Sequence, residues 1–72
     1  MYITVTKSDG VIQGIGFDEV ESIADAMKWT DDRDLTSYEC TDAVFAMAQM
    51  YGGDVMYYLD ESGTAQFNGV MT

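Results

Sequence analysis

Histidine is absent from this 72-residue chain, cysteine occurs once, and basic residues number three. Without histidine the usual structural zinc sites cannot be assembled, and a nucleophile loses its commonest base partner. The single thiol, Cys40, closes no internal disulfide and fits a reducing cytosol. No apolar stretch approaches the ~20 residues of a membrane span. The opening MYITVTK alternates instead of giving a basic start and an apolar run, so no signal peptide is read, and Met1 looks like the start of a complete small reading frame. Three Lys and Arg against thirteen Asp and Glu leave a formal net charge of −10. Nucleic acid and anionic membranes repel such a chain. Basic surfaces attract it, quickly and in a salt-sensitive way.

What is present is an ordinary globular composition, 47% hydrophobic. The length sets one compact domain, residues 1–72. Below roughly 70–80 residues a core seldom supplies more than about 3–5 kcal/mol. Dimerisation or docking on a larger partner would add buried area.

Residues 2–7, YITVTK, alternate as a half-buried strand, with Ile3 and Val5 opposite Tyr2, Thr4 and Thr6. SDG turns the chain, and VIQGIGF at 11–17 returns it. Gly14 and Gly16 share a face on which a helix or another backbone can come close. Asp18, three before Glu21, resembles a capping box for a helix over about 19–29. Val20, Ile23, Ala24 and Met27 form its expected buried stripe. A second capping box, Thr36 to Glu39, opens a second helix with Cys40, Val44, Met47 and Tyr51 at helical spacing, ended by Gly52 and Gly53. VMYYL at 55–59 and TAQFNGV at 64–70 read as a second hairpin. The order is β-β-α-α-β-β. It predicts an α+β fold, an antiparallel four-stranded sheet with both helices packed on one face. The far face of that sheet, with Tyr2, Thr4, Thr6 and some of Met56, Tyr58, Gln66 and Asn68, is aromatic enough to be a dimer surface.

The chemistry-bearing patterns are mostly negative. Asp31, Asp32 and Asp34 cluster, but no glycine lies between Gly16 and Gly52, so the sixth-position glycine of an EF-hand loop is missing. The GIG at 14–16 lacks the third glycine of a dinucleotide fingerprint and the lysine of a P-loop. Asp18, Glu19 and Glu21 would also repel a phosphate there. Cys40 falls on an apolar helical stripe and reads as a buried, inert thiol. The six methionines are explained in good part by packing on helix faces. The chain is therefore expected to be no enzyme and to need no cofactor or metal.

The acidic surface remains. Between Asp18 and Asp42 nine acidic residues face Lys28 and Arg33, a balance of −7. Solubility or adaptation to high salt would account for such a surface blandly. Yet soluble surfaces usually interleave both signs, and the like pair Glu21 and Asp25 costs about 0.2–0.5 kcal/mol at i,i+4. The other account is imitation of nucleic acid. One strand of DNA carries a charge every ~3.4 Å, and carboxylates four apart on a helix rise about 6 Å, so two adjacent acidic rows approach that density. The candidate partner-binding residues are Glu21, Asp25, Asp31, Asp32, Asp34, Glu39 and Asp42, with Trp29 and Tyr38 as aromatic anchors.

In size, charge and plan, carried by DEVESIAD at 18–25 and TDDRDLTSYECTD at 30–42, the chain resembles the small acidic phage-encoded inhibitors of host defence, the anti-CRISPR and DNA-mimic proteins. That resemblance implies a non-enzymatic inhibitor working in the cytoplasm of a bacterial host. Its partner would be the basic, nucleic-acid-binding groove of a defence complex such as a Cas effector, with no direct contact to nucleic acid or membrane. The alternative is a small structural or adaptor domain that homodimerises and is acidic only for solubility or salt tolerance.

Overall fold

The computed structural model describes residues 1–71. In chain order it contains β1 (Tyr2–Thr6), β2 (Ile12–Gly16), α1 (Glu19–Ala26), β3 (Leu35–Glu39), α2 (Asp42–Tyr51), a 3-10 turn at Gly52–Asp54, β4 (Val55–Leu59) and β5 (Ala65–Val70). The fold is α+β with two helices, as the sequence predicts. The expected single four-stranded sheet is not what forms. The strands divide into a three-stranded sheet, ordered β2-β1-β3, and a two-stranded hairpin of β4 and β5. An isolated parallel bridge between Cys40 and Ala65 ties the two together.

Both hairpins follow from local sequence. Gly10 takes φ +65° in the first turn, where its amide reaches the Thr6 carbonyl at 2.8 Å. A bulge between Thr4 and Val5 shifts the register, so that Val5 faces Ile12. In the second turn Asp60 organises DESG. Its Oδ1 accepts from the Ser62 and Thr64 amides, at 2.9 and 3.0 Å, and from the Ser62 hydroxyl at 2.7 Å. Its Oδ2 accepts from the Gln66 amide group at 2.8 Å. These bonds hold the Asp60 carboxyl low, at about 2.

The residues expected to open the second helix form β3 instead. Leu35–Glu39 pairs along all of β1, from Thr6–Leu35 to Tyr2–Glu39. Thr36 therefore caps nothing. The working N-cap is Thr41, whose hydroxyl accepts from the Val44 amide at 3.4 Å. Pairing with β1 outweighs the local capping pattern, because LTSYE is also rich in residues that suit a strand.

The helices lie on opposite faces of the three-stranded sheet, not on one. Alternate residues of a strand point to opposite faces. Ile3 and Val5 join Ile12, Val44, Phe45 and Ala48, together with Val55 and Ala65, in the main core. Thr4 points the other way and meets Ser22 of α1, Oγ1 to Oγ at 2.8 Å. Burying a Val or Ile side chain contributes about 1.5–3 kcal/mol, so the face shared with α2 and the second hairpin carries most of the apolar stabilisation.

On the α1 face the packing is of small residues. A Cβ on Gly14 would lie 2.3 Å from the Ala26 backbone nitrogen, and one on Gly16 would lie 2.4 Å from that of Ser22. The helix thus rests directly on the β2 backbone. Ser22 and Ala26 are its buried residues, whereas Val20 is 77% exposed and Met27 is exposed too. The stripe expected from Val20, Ile23, Ala24 and Met27 is displaced because small side chains, not large ones, permit this approach. Thr4 and Thr6 are buried as well, so they form no outer dimer face.

Candidate functional site

The start of α1 is built as its sequence indicates. The Asp18 carboxylate accepts from the Glu21 amide at 2.8 Å, which caps the helix. The Glu21 carboxylate turns back and accepts from the Phe17 amide at 3.0 Å. One turn on, Asp25 Oδ2 accepts from the Ile15 amide, also at 3.0 Å. β2 is an edge strand of its sheet. Because the Ile15 amide bonds Asp25, the Ile3–Ile15 pair is of the non-hydrogen-bonded kind, and the Ile15 N–H and C=O both turn outward. Glu21 and Asp25 therefore cover donors that an open sheet edge would otherwise expose.

This edge floors a groove of about 810 Å³. On one side stand Glu21, Asp25 and Trp29, spaced four apart along α1 and the turn that follows it. On the other stand Phe45 and Gln49 of α2. Phe17, also on the lining, stacks on Phe45 with ring centroids 5.2 Å apart. Trp29 is 73% exposed and Phe17 70%.

Of the nine sequence-predicted residues, the structure brings Glu21, Asp25 and Trp29 together on this groove. Asp31, Asp32 and Asp34 form a second group in the link between α1 and β3, and all three are exposed. Their backbone is pinned. The Asp32 amide donates to Thr30 Oγ1 at 3.1 Å, the Asp34 amide to Asp32 Oδ1 at 2.9 Å, and the Lys7 amide to the Asp34 carbonyl at 3.0 Å. Arg33 donates to the carbonyls of Thr30 and Asp32. Glu39 ends β3 and Asp42 begins α2. Glu39 lies one strand length from Asp34, on the order of 16 Å. Tyr38 is half-buried against the main core, 6.4 Å from Tyr57 between ring centroids. It packs the sheet against the second hairpin.

Sequence reasoning missed the edge and its groove. The GIG pair signalled the close helix, but nothing local reveals that β2 stands at the end of the order β2-β1-β3.

Among the described residues no three His, Cys, Asp or Glu side chains converge to hold a metal ion. Cys40 is buried, and burial raises its thiol pKa, with Asp42 and Glu39 adding to the rise and the chain's amino terminus opposing it. It is thus poorly disposed to act as a nucleophile. Among the described residues no helix is long and apolar enough to cross a membrane. No protein-family model, no curated protein and no solved structure matches the chain.

Proposed function

We propose that the chain is a non-enzymatic inhibitor that presents carboxylates to the basic, nucleic-acid-binding groove of a bacterial defence complex, in the manner of the anti-CRISPR and DNA-mimic proteins it resembles. The observation that carries this reading is the 30–34 link, where Asp31, Asp32 and Asp34 are exposed on a backbone pinned at both ends. Charges held in place bind without the ordering cost that a floppy acidic tail incurs. Trp29 lies beside the link in sequence and supplies an exposed aromatic anchor.

The test is a mobility-shift assay with purified CRISPR effector complexes and their target DNA, with the chain added before the DNA. The chain is expected to abolish DNA binding by at least one complex. The variant Asp31→Asn/Asp32→Asn/Asp34→Asn is expected to lose that inhibition while keeping the Asp32–Asp34 turn, since asparagine retains an acceptor oxygen. Undiminished DNA binding across the complexes, or equal potency of the variant, rejects the reading.

The homodimer alternative draws support from a different surface. Met56, Tyr58 and Leu59 of the second hairpin are exposed, as are Met50 and Tyr51 of α2. Sedimentation at low and high salt separates the two: a tight dimer in both supports the adaptor, a monomer the inhibitor.

A further inference from the structure

We propose that the groove along the free edge of β2 binds an extended, arginine-bearing segment of a partner protein, whose guanidinium is held by Asp25 and Glu21 and stacks on Trp29. The groove shares Trp29 with the surface proposed above but none of Asp31, Asp32 and Asp34, so carboxylate variants of the groove and of the link test the two readings separately.

The argument is one of hydrogen-bonding character. An unguarded sheet edge offers alternating donors and acceptors. Here the Ile15 and Phe17 amides are already taken by Asp25 and Glu21, each at 3.0 Å. A carboxylate has about four acceptor sites and keeps its charge when it accepts from a neutral amide. The groove therefore presents acceptors in excess: the outward Ile15 carbonyl and the remaining lone pairs of two carboxylates. A complementary occupant is rich in donors and positive. The two carboxylates sit one helical turn apart, roughly 5–6 Å between Cβ atoms, a spacing a planar guanidinium can bridge with its fixed fork of donors.

The walls narrow the choice further. Phe17, Phe45 and Trp29 make them apolar and aromatic. Trp29 follows Asp25 by four residues and lines the same groove. Guanidinium stacks on such a face and ammonium does so less well. The floor is five residues of strand, Ile12–Gly16, about 17 Å long. That length takes about five residues of an extended segment. A second copy of this chain is a poor occupant, because each copy carries −10 and only one arginine, Arg33, which is engaged with its own backbone.

The chain's sole tryptophan is Trp29, so its fluorescence reports the groove directly. The probe is the blocked pentapeptide Thr-Val-Arg-Val-Thr, compared with the same peptide carrying glutamate in place of arginine. The arginine peptide is expected to shift the emission to the blue, saturably, and to move the Ile15 and Phe17 amide signals in proton–nitrogen spectra. The glutamate peptide is expected to do neither. Glu21→Gln/Asp25→Asn keeps an acceptor for both amides and should stay folded by circular dichroism. It should weaken the arginine peptide by about tenfold or more, as loss of a charge-assisted bond requires. Asp31→Asn/Asp32→Asn/Asp34→Asn should bind the peptide more tightly than Glu21→Gln/Asp25→Asn does, since none of the three lines the groove. The proposal is overturned if both peptides bind alike, if Glu21→Gln/Asp25→Asn binds as the parent does, or if the link variant loses binding instead. Unmoved Ile15 and Phe17 signals, or a dimer that covers Trp29 in sedimentation and fluorescence, overturn it equally.

Discussion

Substituting Gly14 by alanine adds one methyl group where α1 rests on the sheet. That carbon would lie 2.3 Å from the Ala26 nitrogen and 2.4 Å from the Ser22 carbonyl oxygen. Favourable heavy-atom contacts fall at roughly 3.5–4.0 Å, so the helix must retreat by about 1 Å. The Thr4–Ser22 hydroxyl bond, now 2.8 Å, would then stretch beyond bonding range. Overpacking costs about 1–3 kcal/mol. Thr4 keeps its 2.8 Å bond to the Ser37 hydroxyl, but the buried Ser22 hydroxyl, drawn off both Thr4 and the Gly14 carbonyl, adds about 1–3 kcal/mol. Alanine recovers about 0.4–1 kcal/mol by stiffening the unfolded chain, too little to reverse the sign. A net loss of about 2–3 kcal/mol lowers Tm by roughly 10–20 °C in a domain this small. It also removes most of what such a core supplies. Because the obstacles are backbone atoms, neither Ala26→Gly nor Ser22→Gly should rescue the variant. Thermal unfolding by circular dichroism checks this. A Gly14→Ala protein that melts within about 3 °C of the parent would show that α1 does not lie on the β2 backbone.

Two further outcomes follow from single groups. Thr6 Oγ1 is buried with no hydrogen-bond partner among the described residues, so Thr6→Val, which keeps the shape and deletes the hydroxyl, should stabilise the fold by about 1 kcal/mol; a lowered urea midpoint would contradict the assignment. Asp60, held at about 2 by the Ser62, Gln66 and Thr64 bonds, adds stability that is complete above its unfolded value of about 3.9 and lost as pH falls through about 2. Its carboxyl carbon resonance should titrate near 2, and Asp60→Asn should lose less stability than the parent between pH 4 and 2. Titration of Asp60 at an ordinary carboxylate value would refute the network.

Features set by a few adjacent residues are legible in the sequence. SDG and DESG mark the two turns, Asp18 and Glu21 mark the start of α1, and the paired glycines of β2 announce a close approach. Features set by distant partners are not. TSYE satisfies a capping pattern and a strand pattern equally well, and β1, thirty residues away, decides between them. The buried face of α1 is misread for a related reason. Hydrophobic periodicity finds large apolar residues, whereas a helix lying on glycines buries its smallest ones, Ser22 and Ala26. The site divides in the same way. That Glu21, Asp25 and Trp29 form a row is visible from their spacing. That the row borders an open strand depends on β2 standing at the end of the order β2-β1-β3.

The glycines and the acids are parts of one device. Only a helix seated on bare backbone stands close enough for an aspartate to reach over the strand and meet the Ile15 amide. Raise the helix by a methyl group and the carboxylates lose their grip on the edge, whose freed donors then invite pairing with other chains. The repulsion between Glu21 and Asp25, about 0.2–0.5 kcal/mol, is offset because each accepts a charge-assisted bond from the strand. Like charge at this spacing is thus no evidence of mimicry by itself. What the two carboxylates contribute beyond guarding the edge is a negative rim on an aromatic groove. The stronger case for imitation of nucleic acid rests on Asp31, Asp32 and Asp34, where the side chains are exposed and the chain is held by its own turns. Gly14→Ala separates these two contributions. It should release the edge and the groove while leaving the Asp32–Thr30 and Asp34–Asp32 bonds within the link in place, although the Thr30 amide, bonded to the Ala26 carbonyl of α1, moves with the helix.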